Sequence, residues 1–164
     1  MKKFSLAVLP LLLASSLALA HGDESTAKNK FDASAMEQMA FGIAGDPAAA
    51  GRTIRIAMGD NMRFTPGLIK VMQGETIRLV VTNKGKIMHE AVIGSMQELQ
   101  QHSAMMKKFP TMEHEAPYMA HVKPGQSQEI VWTFNQPGTF YFACLIAGHF
   151  EAGMVGTITV TAKN

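Results

Sequence analysis

Near its C-terminal end the chain reads Cys144-Leu145-Ile146-Ala147-Gly148-His149-Phe150-Glu151-Ala152-Gly153-Met154, a thiol, an imidazole and a thioether on one short stretch with four residues in each gap. Cys144 is the one cysteine of 164 residues, and a further imidazole, His89, lies far upstream. A thiolate, two neutral imidazoles and a weak thioether are the ligand set of a copper ion that cycles between Cu(I) and Cu(II). Taken singly, a buried cysteine or methionine is an ordinary core residue. The two fixed spacings, with Gly148 and Gly153 to turn the backbone between the ligands, favour metal over core.

These side chains need a scaffold, and the rest of the sequence describes one. Lys2 and Lys3, the apolar run from Phe4 to Leu13 and Ala18-Leu19-Ala20 form the three zones of a secretory signal peptide over residues 1–20, so the mature chain is expected to start at His21. Pro10, Ser15 and Ser16 interrupt the run, which argues against a membrane anchor. Export to the periplasm places the lone thiol where cysteines normally pair, and metal ligation protects it. Loss of Lys2 and Lys3 leaves thirteen basic against thirteen acidic residues, a neutral balance that excludes nucleic acid as a partner.

Residues 21–51 are rich in Ala, Gly, Asp, Ser and Lys and are expected to be a flexible leader with one short helix from Asp32 to Phe41. From residue 52 to 164 short apolar or alternating runs predict strands at Thr53 to Met58, Leu68 to Met72, Thr76 to Thr82, His89 to Ile93, Glu129 to Phe134, Thr139 to Cys144 and Val155 to Thr161. Turn signals such as Gly59-Asp60-Asn61, Asn83-Lys84-Gly85 and Pro137-Gly138 separate them. The pattern is that of an all-β, two-sheet sandwich. It is interrupted between about 95 and 121 by a Met- and His-rich insertion whose first part, Ser95 to about Phe109, favours helix and stops at Pro110.

A sandwich with an early His and a late Cys-x4-His-x4-Met loop resembles the cupredoxins of the plastocyanin and azurin family, over roughly Arg52 to Thr161. That resemblance implies a Greek-key β-sandwich and one type 1 copper, with His89, Cys144 and His149 in the trigonal plane and Met154 axial. It implies that His149, beside Ile146 and Ala147, is the exposed ligand through which electrons pass. Met62-Arg63-Phe64-Thr65-Pro66, His89-Glu90-Ala91-Val92-Ile93-Gly94 and the insertion look more like the exported copper-tolerance members, the CopI-like group. Glu90 stands where many electron-transfer members carry an Asn that ties the ligand loops together, and a carboxylate cannot donate those hydrogen bonds. Ala147 replaces a proline common before Gly-His, which should loosen the loop.

The insertion adds soft and borderline ligands. Met112-x-His114 and Met119-x-His121 place a thioether and an imidazole within reach of one ion in extended chain, and His102 and Met106 share a helix face by their spacing of four. These six residues are candidates for additional Cu(I), against the alternative of packing and solvation. His21, with its free amine after cleavage, is a separate candidate for Cu(II). The expected function is periplasmic copper handling by a monomer, by sequestration or transfer. The partners are copper ions and a periplasmic redox protein or copper exporter. The alternative is a soluble one-electron shuttle. Copper oxidases and nitrite reductases join several such domains and use His-x-His pairs. This chain has one domain and no His-x-His, so it is read as a non-enzyme in which slow Cu(I) oxidation is the residual redox chemistry.

Overall fold

The computed structural model describes residues 31–110, 112 and 114–163. Ten strands form two five-stranded sheets. In chain order these are β1 (Ile43–Ala44), β2 (Arg52–Gly59), β3 (Arg63–Thr65), β4 (Leu68–Met72), β5 (Glu75–Asn83), β6 (His89–Gly94), β7 (Met119–Val122), β8 (Ser127–Phe134), β9 (Gly138–Ala143) and β10 (Val155–Thr161), with one helix, α1 (Met96–Lys108), between β6 and β7. The first sheet runs β1-β8-β5-β2-β3 and the second β4-β10-β9-β6-β7. The pairs β2/β5 and β4/β10 are parallel and the others antiparallel. Among the described residues no helix is long and apolar enough to cross a membrane.

Alternation along β5, β8 and β10 sends every second side chain into the sandwich. Ile77, Leu79, Val81, Ile130, Trp132, Phe134, Phe142 and Ile158 are all at most 1% exposed and fill the space between the sheets. β6 departs from alternation, because all six of its residues are buried. The reason is α1, which covers the outer face of the second sheet: Leu99 and Met106 pack with Val92, Ala143 and Leu145. The helix starts where the sequence sets a capping box. Ser95 Oγ accepts from the Glu98 N–H, and the Glu98 carboxyl accepts from the Ser95 N–H at 2.8 Å.

All seven expected strands are present, with ends shifted by at most two residues. Three are additional: β1, β3 and β7. β7 pairs with β6, His89 opposite Val122 and Glu90 opposite His121, so the insertion ends before Met119 and His121 belongs to the sheet.

The expected leader behaves differently from residue 31 onward. In place of a helix from Asp32 to Phe41 there is a single 3-10 turn, Ala33–Ala35. Nor is this stretch a loose tether, because Phe41 is 1% exposed and stacks on Trp132 with ring centroids 5.3 Å apart. Trp132 Nε1 donates to the Phe41 carbonyl at 2.9 Å, and β1 adds an edge to the first sheet. A buried indole needs a partner for its N–H, and this segment supplies it.

Candidate metal centre

β6 carries His89 at its first residue, with Asn83 bracing the turn that leads to it and Asp60 meeting its ring. Asn83, fully buried at the end of β5, donates from its side-chain amide to the carbonyls of Ile87 and Val122, both at 2.8 Å, and accepts from the Gly85 N–H at 2.8 Å. This braces the turn that leads into β6. Asp60, in the turn after β2, accepts from the Lys86 N–H at 2.8 Å and lies 3.1 Å from His89 Nε2. Those contacts, the Lys86 N–H first, hold the Asp60 carboxyl below its ordinary value. A carboxylate on Nε2 selects the tautomer that leaves Nδ1 as a lone-pair donor. His89 is 0% exposed, and its Nδ1 is buried without a hydrogen-bond partner.

The other candidate ligands come from the end of β9 and the loop to β10. Gly148 and Gly153 have φ of +90° and +87°, a backbone region that L side chains rarely adopt. With these turns the loop closes on itself. The N–H of His149 donates to Ile146, that of Met154 to His149 at 3.0 Å, and that of Cys144 to Met154 at 3.1 Å. Arg63, at the start of β3, reaches over to donate to the Ala152 carbonyl at 2.9 Å.

The outcome is a compact donor set. One nitrogen each of His89 and His149 and the sulfur of Cys144 all lie within 4.8 Å of one another. Cys144 Sγ is 3.2 Å from His149 Nδ1, and the two imidazoles have centroids 5.0 Å apart. Met154 is fully buried on the same loop. His149 is 9% exposed while the other three residues are at 0%, so it is nearly buried rather than open, yet alone among the four it touches the surface. Ile146 and Ala147, half-buried and exposed, flank it.

Burial pushes the Cys144 thiol up to about 12, and burial, then the neighbouring His89, holds His149 below its ordinary value. Neutral imidazoles are ready donors. A thiol that cannot ionise alone in this pocket needs a cation beside it to do so. An orphaned imidazole nitrogen, a second neutral imidazole and a sulfur at this spacing suit a borderline or soft metal ion such as copper.

Glu90 is the residue whose part the sequence did not foretell. Its backbone N–H points at Cys144 Sγ at 3.4 Å, and its carboxyl oxygen accepts the Leu145 N–H at 2.7 Å. The tie between the ligand strand and the ligand loop exists after all. It is made by an acceptor on β6 and a donor on the loop, so the inability of a carboxylate to donate does not matter. The second oxygen of Glu90 meets His121 Nε2 at 2.9 Å. In the sequence Asp60 is only a turn residue, and no local signal connects it to a histidine 29 positions later.

The remaining sequence candidates separate. Met106 is 8% exposed and packs with Leu99 and Leu145, and Met119 packs against the same cluster. Met112 is 39% exposed. His102 and His114 come together with ring centroids 4.7 Å apart, and His121 joins Glu90. His21 lies outside the described residues, as do the signal peptide and its cleavage point.

Comparison with known proteins points to copper binding. The model of the copper binding proteins of the plastocyanin/azurin family matches residues 51–161. The copper-resistant cuproprotein CopI of Rubrivivax gelatinosus is 50% identical over 120 residues, 73% of this chain and 73% of that protein. CopI of Pseudomonas aeruginosa is 38% identical over 157 residues, covering 78% and 86%. Reduced auracyanin from Roseiflexus castenholzii superimposes with a TM-score of 0.57 at 26% identity, over 68% of this chain and 98% of that one. An azurin from Methylomonas sp. strain J shares the fold at 14% identity, with a TM-score of 0.56 over 68% and 98%. The chain therefore belongs to the plastocyanin/azurin family of copper binding proteins.

Proposed function

We propose that this protein is exported to the periplasm and handles copper there, in the service of copper tolerance, by binding one ion between His89, Cys144, His149 and Met154. The observation that carries the reading is the orphaned Nδ1 of His89, held by Asp60 in the same small space as the Cys144 sulfur and a His149 nitrogen. Bound copper would supply one-electron redox chemistry at this point. The chain's own residues do the rest: Asp60 orients one imidazole, Glu90 clamps the ligand loop to the ligand strand, and the buried pocket keeps water from the sulfur. The similarity to the CopI proteins supports tolerance as the purpose. The start of the sequence, with its signal-like zones, supports export.

The test is genetic. Deleting the gene should lower the copper concentration at which cells stop growing, and the wild-type gene but not Cys144→Ser should restore it. Unchanged copper sensitivity would reject tolerance as the role. It would favour the second reading, a soluble electron shuttle, which rests on His149 as the surface-reaching member of the set.

A further inference from the structure

The turn between β2 and β3 touches both halves of the metal centre, although it supplies no ligand. It is a hairpin loop of Asp60, Asn61 and Met62, with Gly59 paired to Arg63 and the Met62 N–H donating to the Gly59 carbonyl at 3.0 Å. Hairpin loops of this length usually end on a residue in the left-handed region, a place suited to glycine. Here that residue is Met62, with φ +58°, the one non-glycine with a positive φ among the described residues. Its side chain packs against the core between the sheets, which holds the turn in this strained form.

Pinned in this way, the turn sends one side chain to each half. Asp60 reaches the β6 side and meets His89 Nε2 at 3.1 Å, and Gly85 makes room for it, since a Cβ there would collide with the Asp60 carboxylate. Arg63 reaches the ligand loop. Its Nη1 donates to the Met62 carbonyl at 2.7 Å and to the Ala152 carbonyl at 2.9 Å, so the bond to its own turn aims the guanidinium at the loop. The guanidinium also lies against Gly153, where a Cβ would be 3.3 Å from Nη1 and 3.8 Å from Cζ. Ala152 and Gly153 lead directly into Met154, whose N–H donates to the His149 carbonyl and whose carbonyl accepts from the Cys144 N–H. Phe64, next to Arg63, packs edge-on against Phe142 with ring centroids 4.8 Å apart, which ties β3 to the strand that runs into this loop. Among the described residues no carboxylate pairs with Arg63, so its charge stands unneutralised beside the centre.

We infer that Arg63 is a positioning residue for the metal centre: through the Ala152 carbonyl it fixes the backbone that carries Met154, and so sets how closely the thioether approaches the ion. The inference rests on the reading of His89, Cys144, His149 and Met154 as a copper site. A thioether is a soft donor that favours Cu(I) over Cu(II). A nearby positive charge favours the same state, because Cu(I) leaves the site with one positive charge fewer. Both effects act in one direction. Arg63 raises the affinity for Cu(I) relative to Cu(II), and its loss lowers the reduction potential. One turn thus serves both halves, Asp60 for the imidazole of His89 and Arg63 for the thioether of Met154.

Two variants of this exposed side chain test the inference. Arg63→Met keeps an unbranched side chain but removes the donors and the charge, whereas Arg63→Lys keeps a charge and a donor for Ala152. In metal-free protein the N–H groups of Cys144 and Met154 should exchange with solvent about 10-fold faster in Arg63→Met than in wild type, while those of β5 stay unchanged. With copper bound, potentiometric titration should give Arg63→Met a ratio of Cu(I) to Cu(II) affinity about 10-fold lower, a fall of about 59 mV. Arg63→Lys should restore the slow exchange and most of the potential. Wild-type exchange and potential in Arg63→Met would overturn the inference. A lower potential with unchanged exchange would also overturn it, because charge alone would then act. So would faster exchange throughout the sandwich, β5 included, which would make Arg63 a general stabiliser. A wild type that gives no sulfur-to-copper absorption with Cu(II) would strike the copper reading and this inference with it, whereas a failure of Arg63 alone leaves that band in place.

Discussion

Glu90 and Cys144 sit on different elements 54 positions apart, and the N–H of the first points at the sulfur of the second at 3.4 Å. One residue thereby serves the centre twice, since its carboxyl also takes the Leu145 N–H at 2.7 Å. The N–H contact belongs to the backbone and survives substitution, whereas the carboxyl contact does not. Glu90→Gln retains an acceptor for Leu145 and should keep the sulfur-to-copper absorption near its wild-type position. Glu90→Ala strands a buried N–H and should destabilise the metal-free protein by about 2–3 kcal/mol in urea unfolding. Equal behaviour of the two variants would show that the carboxyl is not the clamp.

Asp60 orients His89 from a turn that is itself well exposed. Asp60→Ala should weaken copper binding by about 10- to 100-fold in chelator competition, the usual cost of losing a carboxylate behind a ligating histidine, with little change in the melting temperature. Asp60→Asn, which retains an oxygen for the Lys86 N–H, should lose less. If both variants bound copper like wild type, the preset tautomer of His89 would be unnecessary.

The Cys144 thiol ordinarily ionises near 9.0 and is raised to about 12 in the folded protein. Between those values the unfolded chain holds fewer protons than the folded one, so the stability of the metal-free protein falls as pH rises above about 9. The contribution is unchanged below that. Urea unfolding at pH 10 against pH 7.5 should show a loss of about 1 kcal/mol in wild type that is missing in Cys144→Ala. For the same reason copper binding at pH 7.5 should release one proton from the thiol. A pH-independent midpoint would mean that the sulfur is less shielded than its burial implies.

Phe41 tests the docked segment ahead of β2. Stacked on Trp132 and 1% exposed, it should cost about 3–5 kcal/mol when replaced by alanine. A loss under about 1 kcal/mol would mean that the segment adds little to the sandwich.

What the sequence disclosed, and what it withheld, follows from how far each signal reaches along the chain. Strands such as β5 and β8 are eight or nine residues long and alternate cleanly, so their period shows without any partner. The helix was legible because its start is a local device, Ser95 with Glu98. β1 has two residues and β3 three, too few for a period to appear, and β7 hides in a stretch whose methionines and histidines drew attention to ligands rather than to pairing. Phe41 lies in an Ala- and Gly-rich stretch, where composition suggests a leader; only the contact with Trp132, 91 positions away, makes it core.

At the metal centre the Cys-x4-His-x4-Met loop was legible as spacing. Asp60 and the acceptor role of Glu90 were not, because each acts through a contact that only the folded chain creates. His102 and Met106 share a helix face by count, yet the packing of α1 on Val92 and Leu145 takes Met106 into the interior.

The most direct measurement is a titration of metal-free protein with Cu(II), followed by visible absorption. Wild type should develop an intense sulfur-to-copper band that saturates at one equivalent, and Cys144→Ser should show none while keeping the wild-type circular dichroism. A wild-type protein that stays colourless as Cu(II) is added would contradict a copper centre built on Cys144, His89, His149 and Met154.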